Sequence, residues 1–547
     1  MKRIRKKPAK TADSDARIDL VRGVFLLALF VQLLGVRWTP PSVNEEVVFQ
    51  AAGGFLRTGV PALSGTPEAA AMAQEVSKAR KTGEACELGF IWQDPEGLSV
   101  ALGHTPPGAM LVLLPAHILG RTLDGLFPDL EASYRTGTRG KSSEVWAHIL
   151  AALLGPLMGA ICCAALVSSA LSLGASRPAA AMTGVVVGLG TPLASASAWP
   201  EPALLAAAFL AYGLATLLHL ATAVGARKTV GRFRFWGVGC ALALALLMDM
   251  RIWPLVLLTL AFGEAGLRRA QQVVFPFGRM GSLFALMGPV LIAIAWSVLG
   301  SGPLAEAGRR HWYVHTSAAM GEVGFMEWLG AGGIALAFAP CLAFGLIGAG
   351  RMLGGVDRLV GALTWTGIGV SMLFIGDRNA HGPAQLVPLL VFLGPAVGLG
   401  LGFVAGLPLG KLLVGGVVIW GLTIQVGSAL VDPDLANYLE AELPAADVGE
   451  LDPLGPQTGA RWRILRRQKA MGDGSFPLGE IFALEDESKT VMVEGLPGRW
   501  LGHLALPRLG GGQGPSFLAT LAGLLLFFLA GWGGRAVVQG LDPARWP

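Results

Sequence analysis

The chain has 547 residues, of which 53% are of apolar types and only 14% are charged. Soluble proteins carry roughly 25% charged residues, so this chain has too little polar side-chain surface to coat several globules in water. These values exclude a disordered chain, a collagen and a coiled coil, and the net charge of +5 does not indicate nucleic-acid binding. Because the apolar residues form runs of about 18 or more, the length of a bilayer-spanning helix, we predict an all-α polytopic membrane protein.

The N-terminal segment is basic and precedes the first apolar run. It reads MKRIRKKPAK, and no small-residue cleavage pattern follows the run at 20–36, which favours a retained span with a cytoplasmic N-terminus. With eleven further apolar runs we predict about twelve spans and a cytoplasmic C-terminus, in a bacterial inner (plasma) membrane. The further spans are predicted at 145–172, 178–198, 202–223, 235–250, 252–264, 280–300, 326–349, 357–376, 384–405, 411–430 and 515–534.

An apolar segment at 106–120 decides the topology of everything after it. It is short for a span, is interrupted by Pro115 and contains His117. If it crossed the membrane, seven basic residues of later loops would face outside, whereas an interfacial helix leaves all seven inside, as the positive-inside rule prefers. We therefore predict an interfacial helix. The seven residues are Arg227, Lys228, Arg232, Arg234, Arg268, Arg269 and Arg279.

These predictions divide the chain into four parts. Residues 1–18 form a basic cytoplasmic N-terminus, and residues 19–430 form a transmembrane domain with an outer first loop at about 37–144. Residues 431–513 form an outer segment of mixed charge, either a small domain or an extended loop, and residues 514–547 hold the last span and a cytoplasmic tail. Cys86 is the only cysteine predicted outside, so no outer disulfide framework is available.

The first outer loop opens with two adjacent acids, Glu45 and Glu46, preceded by Asn44. From Glu45 onward the apolar side chains recur at helical spacing and Gly59 suits a C-terminal stop, so we predict an amphipathic helix. Capping explains these polar residues structurally, because asparagine is a good N-cap and the helix dipole favours acids in the first turn. A catalytic role for the same residues is the competing interpretation.

The opening of this loop resembles the first-loop motif of GT-C membrane glycosyltransferases, the polytopic enzymes similar to protein O-mannosyltransferases and the lipid A aminoarabinose transferase. In that family Asp-Glu is followed by an aromatic residue, then Ala and Leu, and the motif ends in a small residue and Gly. Asn44 takes the place of the Asp and Glu45 that of the Glu, without a gap to Gly59. The family's Asp is regarded as the base. Either Glu45 or Glu46 therefore takes that role here, or the activity is altered or lost.

Two further segments strengthen the resemblance, which covers about residues 18–430. The sequence Gly-His-Thr-Pro-Pro-Gly at 103–108 is similar to the family's Lys-Pro-Pro-Gly interfacial helix, with His104 at the basic position. Glu201, between the third and fourth predicted spans, matches an acidic residue that family members carry in that outer loop.

A third segment, at 376–388, resembles the family's late Gly-Pro-Arg-Tyr-Leu-x-Pro motif. The Arg-Tyr of that motif is replaced by Ala384-Gln385, and Arg378 and His381 are the nearby groups that can substitute as cations. Asp377 lies beside them and is included among the candidate substrate-binding residues.

The resemblance implies transfer of a sugar from a polyprenyl-phosphate carrier to an outer-face lipid, glycan or protein, with inversion at the anomeric carbon. Such a reaction needs a carboxylate to take the acceptor's proton and cations beside the departing phosphate. No cofactor is certain and a divalent metal ion stays open; membrane lipids are expected partners and nucleic acid is not. The candidate bases are Glu45 and Glu46, the candidate phosphate partners are His104, Arg251, Arg378 and His381, and the candidate hydroxyl-binding or orienting acids are Glu201 and Asp249.

Other interpretations stay open at this level. Asp249 and Arg251 lie at span ends, where ionisable residues often only anchor the interface. His311 and His315 have the i, i+4 spacing of a metal pair on a helix, but no nearby acid completes such a site in the sequence. The whole chain could also be a transporter or flippase, or a non-catalytic relative with the GT-C fold.

Overall fold

The structure of the protein, a computed structural model, describes residues 9–34, 43–83, 86, 88–93, 99–126, 144–191, 193–197, 199–224, 232–269, 278–319, 339–354, 358–375, 387–430 and 517–542. Within these ranges the chain is mostly helical and carries a two-stranded antiparallel sheet. The predicted outer segment 431–513 and the motif containing Asp377, Arg378 and His381 lie outside the described residues.

The helices are numbered here in chain order. They are α1 Ala9–Leu34, α2 Val43–Thr58, α3 Pro67–Thr82, α4 Pro107–Leu126, α5 Val145–Ser172, α6 Arg177–Gly190, α7 Leu193–Ala196, α8 Pro202–Val224, α9 Arg232–Met248, α10 Trp253–Arg269, α11 Gly278–Leu299, α12 Pro303–Ala319, α13 Leu342–Gly354, α14 Arg358–Ile375, α15 Val387–Ala405, α16 Gly410–Leu430 and α17 Phe517–Leu541. The strands are β1 Gly89–Gln93 and β2 Ser99–Gly103, and a 3-10 turn, Met250–Ile252, joins α9 to α10.

Five helices in the described ranges are long and apolar enough to cross a membrane: 107–126, 146–172, 202–220, 280–299 and 524–541. Several other predicted spans are present as shorter apolar helices, and the predicted span at 178–198 ends early, because α6 stops at Gly190 and Thr191 adopts an extended conformation. The count of about twelve spans therefore stays a prediction, while the helical, membrane-type architecture is clear from these helices.

Close helix packing in the core depends on small residues. A Cβ atom at Gly348 of α13 would overlap the carbonyl oxygen of Ala396 in α15, and one at Gly400 would overlap that of Phe344. Since lipid chains are as apolar as leucine, helices in a bilayer gain association energy from such close approach rather than from hydrophobic burial. The small residues at these crossings explain why 77 glycines are compatible with a helical fold.

Three helix ends meet at one end of the bundle, which we call the site end and define by Glu144, Trp199 and Met248. Gly155 of α5 packs against Trp199, which directly precedes α8. Helices α8 and α9 pack together and are joined by residues 225–231, so they are antiparallel and α9 ends near the start of α8. The site end therefore collects the start of α5, the start of α8 and the end of α9.

The described chain termini lie at the opposite end of the bundle. Arg17 of α1 donates hydrogen bonds to the carbonyl oxygen of Ser168 (3.2 Å) and to Ser172 Oγ (2.7 Å), at the far end of α5. Gly23 packs against Val537 of the last helix, α17, which runs antiparallel to α1. The described start of α1 and the described end of α17 thus lie on the same side of the bundle; that this side is cytoplasmic stays a prediction.

Helix α4 differs from the prediction of a short, broken segment. It is a continuous 20-residue helix that accommodates Pro115, and by length and composition it qualifies as a span. Its contacts favour the interfacial prediction, however. Gly108 in its first turn lies against Met248, and Gly120 lies against Ala147, so both halves of α4 contact the site end and the helix lies across that end of the bundle.

The remaining described parts of the first loop form a layer over the site end. Strands β1 and β2 pair in antiparallel register, Gly89 opposite Gly103, and pack between α3 and α12. Helix α2 ends at Gly59 (φ 75°), as predicted, and approaches the chain so closely that a Cβ atom at Gly54 would overlap the carbonyl oxygen of Ala62. This layer is the scaffold for the candidate site.

Candidate functional site

A buried carboxylate, Glu46, lies where α2 packs on the site end. Only 7% of its surface is exposed, and its Oε1 accepts a hydrogen bond from Gln50 Nε2 at 2.7 Å. The hydroxyl of Thr66, the N-cap of α3, donates to Gln50 Oε1 at 2.7 Å, which fixes the amide. His148 Nε2 of α5 lies 3.9 Å from the same Glu46 oxygen. Glu46 is therefore oriented by neighbours on α2, α3 and α5.

An aromatic cluster continues this contact across three helices. The ring of Phe49, one turn after Glu46, lies between His117 of α4 and His148 of α5, with centroid separations of 4.3 and 3.9 Å. Trp199, fully buried before α8, completes the cluster at 6.1 Å from the Phe49 ring. These contacts fix α2 against the helices beneath it, so the position of Glu46 is set by the tertiary fold.

A second buried carboxylate, Glu144, lies between two arginines and a histidine. Its Oε1 accepts hydrogen bonds from Arg57 Nη1 at 2.8 Å and from Arg121 Nη2 at 3.2 Å, and its Oε2 lies 3.3 Å from His117 Nδ1. Burial alone would raise the pKa of Glu144, but the interactions with His117, Arg57 and Arg121 outweigh burial and lower the pKa to about 2. The carboxylate is ionised at neutral pH and joins α2, α4 and α5.

This second cluster was not predicted as part of a site. The sequence patterns place His117 in a predicted interfacial helix and assign no role to Arg57, Arg121 or Glu144. A signal was available, since Glu144 and His148 stand at i, i+4 spacing at the start of a predicted span, where paired ionisable residues are uncommon.

The predicted acids at the start of α2 are only partly described. The helix begins at Val43, so Asn44 lies within its first turn. An N-cap residue would instead precede the helix. The side chains of Asn44 and Glu45 lie outside the described part of the structure.

His104, at the end of β2, is buried and uncharged. Its Nε2–H donates to the carbonyl oxygen of Cys86 at 3.1 Å, and its ring stacks on Phe90 with a centroid separation of 5.5 Å. Burial lowers the pKa of His104 to about 4; the hydrogen bond to Cys86 opposes this, and the positive charge of Arg310 adds to it. A neutral ring supplies no positive charge to a phosphate, so the predicted role of His104 needs revision.

Asp249 and Arg251 form a two-point ion pair beside the end of α9. Arg251 Nε donates to Asp249 Oδ1 and Arg251 Nη2 to Oδ2, each at 2.9 Å. Asp249 Oδ1 also accepts from the backbone N–H of Arg251 at 3.0 Å, which caps the 3-10 turn. Asp249 is 3% exposed and Arg251 is half-buried, so the buried acid holds the guanidinium in one orientation; its role toward a substrate stays a prediction.

The structure thus brings several predicted residues to one end of the bundle without placing them in a single cluster. Glu46 lies beside the aromatic cluster that includes Trp199. Glu201, which is 8% exposed, follows Trp199 by two residues. Asp249 and Arg251 directly follow Met248, which lies against the first turn of α4. No group of three or more histidine, cysteine or acidic side chains in the described residues is arranged to hold a metal ion.

Comparison with known proteins shows a structural likeness alone. No family model matches the sequence, and no curated relative does. The chain is similar to the crystal structure of ArnT from Cupriavidus metallidurans in the apo state, with 18% identity and a TM-score of 0.43. It is also similar to ArnT from the same organism bound to undecaprenyl phosphate, with 17% identity and a TM-score of 0.45. In both cases 95% of this chain and 77% of the other are covered. ArnT is a lipid A aminoarabinose transferase, a GT-C enzyme, which is the family that the first-loop motifs resemble.

Proposed function

We propose that the chain is an integral-membrane glycosyltransferase that moves a sugar from a polyprenyl-phosphate carrier to an acceptor on the outer face of the membrane. The observation that carries the proposal is the gathering of buried acids and an oriented arginine at one end of an otherwise apolar bundle. Glu46, Glu201 and the Asp249–Arg251 pair all lie there. A polyprenyl phosphate has its tail in lipid and its charged head at this level, which matches that distribution of charge.

The reaction is an inverting displacement. The oxygen of an acceptor hydroxyl attacks the anomeric carbon, the bond from that carbon to the phosphate oxygen breaks, and its electron pair leaves with the phosphate. A carboxylate takes the hydroxyl proton. We assign this base to Glu45, because Glu46 already accepts a hydrogen bond from Gln50 and lies beside His148. Glu46 then acts as a positioning residue for the first turn of α2.

Positive groups are needed where the phosphate leaves. Among the residues that the structure describes, Arg251 is the candidate for contacting the phosphate, since the buried carboxylate of Asp249 holds its guanidinium in a fixed orientation. Charge-assisted hydrogen bonds from arginine suit phosphate, and a fixed donor avoids reorganisation in the transition state. Arg378 and His381 are proposed as further cations, and Glu201 and Asp377 as partners of sugar hydroxyls, on the basis of the sequence motifs.

The test is sugar transfer by the full chain in lipid vesicles, with a polyprenyl-phosphate sugar as donor and extracted outer-face lipids and glycans as acceptors. Replacing both acids, Glu45→Gln with Glu46→Gln, removes the base and should lower transfer at least 100-fold, on the order of one general-base contribution. The matched control is Glu75→Gln on the exposed face of α3, which should transfer normally. Unchanged transfer by the double variant would exclude both acids as the base.

A non-catalytic relative is the second candidate, and the departures from the family pattern favour it. Asn44 stands where the family has Asp, and Ala384-Gln385 stands where it has Arg-Tyr. Such a protein would bind the polyprenyl-phosphate sugar without turning it over. Donor binding that persists while transfer is undetectable, and transfer that appears in Asn44→Asp, would support this alternative.

A further inference from the structure

A cavity of about 770 Å³ lies beside the β-hairpin, in the layer over the site end. Its walls come from the C-terminal half of α3, from β1 and from the first turns of α12. Residues from α3, the hairpin and α12 are far apart in sequence, so the cavity is a product of the fold and not of one loop. Its size suits one or two sugar residues.

The charge of the cavity is positive. Three arginines and one glutamate line it, and the single acid is already used internally. Glu306 accepts from Arg309 Nη2 at 2.9 Å and from Arg310 Nε at 2.8 Å. Arg80, which is exposed at the last turn of α3, makes no ion pair with any described residue. Two positive charges are therefore left in excess at the opening.

The interior of the cavity offers a hydrogen-bond acceptor that has no partner. The side chain of His104 lines the cavity and is 92% buried, since 8% of it is exposed, and its Nδ1 makes no hydrogen bond with the described residues. Because Nε2 carries the proton that is donated to Cys86, Nδ1 is left with a free lone pair. A buried acceptor without a donor is costly, and a ligand hydroxyl would satisfy it.

Aromatic surface lies between these two polar features. Phe90 is covered by the His104 ring and by the Arg310 guanidinium, whose central carbon lies 4.3 Å from the ring centroid. Trp92, on the same strand and half-buried, is the aromatic group of the lining that is left to contact a sugar ring. A partly buried indole combines apolar area with a defined orientation, as sugar-binding sites require.

From this arrangement we infer that the cavity binds an anionic sugar residue of the acceptor glycan. The carboxylate or phosphate of that residue contacts Arg80 and Arg310, its ring packs on Trp92, and a hydroxyl donates to His104 Nδ1. The inference rests on the proposed function only in identifying the bound glycan as an acceptor, since binding in the cavity requires no transfer reaction. An acidic glycan is the class of molecule that the layer over the site end selects.

The binding of small sugars to the full chain in lipid nanodiscs is measured by saturation-transfer NMR. The probes are glucuronic acid, glucose 6-phosphate and neutral glucose, so the arms separate carboxylate, phosphate and uncharged sugar. We expect the anionic probes to bind at least tenfold more tightly than glucose, because each arginine contact to an anion is worth roughly a tenfold change in Kd. Arg80→Gln should weaken the anionic probes by about tenfold and leave glucose unchanged.

The matched control is Lys81→Gln, an exposed cation in the same helical turn that does not line the cavity, and it should bind all probes as the unmodified chain does. Equal binding of glucose and the anionic sugars, equal losses in Arg80→Gln and Lys81→Gln, or no binding at all would overturn the inference.

A soluble acceptor fragment that competes with the probe would identify a glycan source, and competition only by intact lipid-linked glycan would identify a lipid headgroup. Probe binding without any transfer would remove the proposed function and leave the cavity site standing; transfer without probe binding would do the reverse.

Discussion

At the residue scale, the buried acids Glu46 and Glu144 are held by side chains that lie far from them in the sequence. The pair Glu45–Glu46 stood out because two adjacent acids open an apolar helix. Contacts such as Glu46 with His148, or Glu144 with Arg57 and Arg121, join residues up to about a hundred positions apart and have no local pattern. The same holds for His104, whose neutral state follows from burial in the folded chain and cannot be deduced from the sequence motif.

Glu144 gives a pH prediction whose sign can be worked out. Its pKa is depressed from 4.5 to about 2, so its contribution to stability is fully present above pH 4.5 and is lost as the pH falls toward 2. The shift corresponds to roughly 3 kcal/mol at neutral pH. Glu144→Gln should remove this contribution at pH 7 and flatten the acid limb of the stability curve. Denaturant unfolding in detergent at several pH values, with Glu75→Gln as control, measures it; an unchanged acid limb would show that the arginines do not stabilise the fold through this acid.

At the element scale, long apolar helices were predictable and short polar elements were not. The predicted span 145–172 coincides with α5, and 202–223 differs from α8 by one residue, because continuous apolar sequence specifies a helix without help from neighbours. The hairpin of β1 and β2 was missed, since five-residue strands depend on their pairing and on packing against α3 and α12. Helix α4 was predicted as a short segment at 106–120 but extends over Pro107–Leu126, because Pro115 was taken as an interruption and the helix accommodates it.

The placement of α4 across the site end predicts different effects for two glycines on that helix. A Cβ atom at Gly120 would overlap the backbone of Ala147, whereas one at Gly125 would meet nothing within 4 Å. Gly120→Ala should therefore displace α4, lower the thermal midpoint in detergent and reduce transfer. Gly125→Ala should be neutral or stabilise the helix by up to about 1 kcal/mol. Equal midpoints for the two variants would show that the α4–α5 contact does not contribute to stability.

At the scale of the whole molecule, the distribution of ionisable residues separates the proposed enzyme from a transporter. In the described part of the chain, the buried acids and the arginines paired with them lie at the site end, and the contact of Arg17 lies at the other end. A transporter would be expected to carry charged residues near the middle of the membrane, on interrupted helices in matched halves. This arrangement favours chemistry at one membrane surface over passage across the membrane.

The shared side of the two termini gives a topology prediction. Alkaline phosphatase fused after Gly302, in the turn between α11 and α12, should be active, because that turn joins the layer at the site end that we assign to the outside. The same reporter fused after the last residue should be inactive, because α17 ends beside the start of α1. A fluorescent protein, which matures in the cytoplasm, serves as the reciprocal reporter at both positions. Activity at both or neither of the two points would refute the proposed orientation.

The pairing of α1 with α17 has a consequence for how the protein is made. Gly23 and its partner Val537 are separated by more than 500 residues, so α1 enters the membrane long before its partner α17 has been synthesised. At about 5–20 residues per second, that interval lasts on the order of half a minute or longer. A ribosome that stalls before α17 would leave the α17-binding face of α1 exposed to lipid. Insertion chaperones or membrane proteases would then have access to this face.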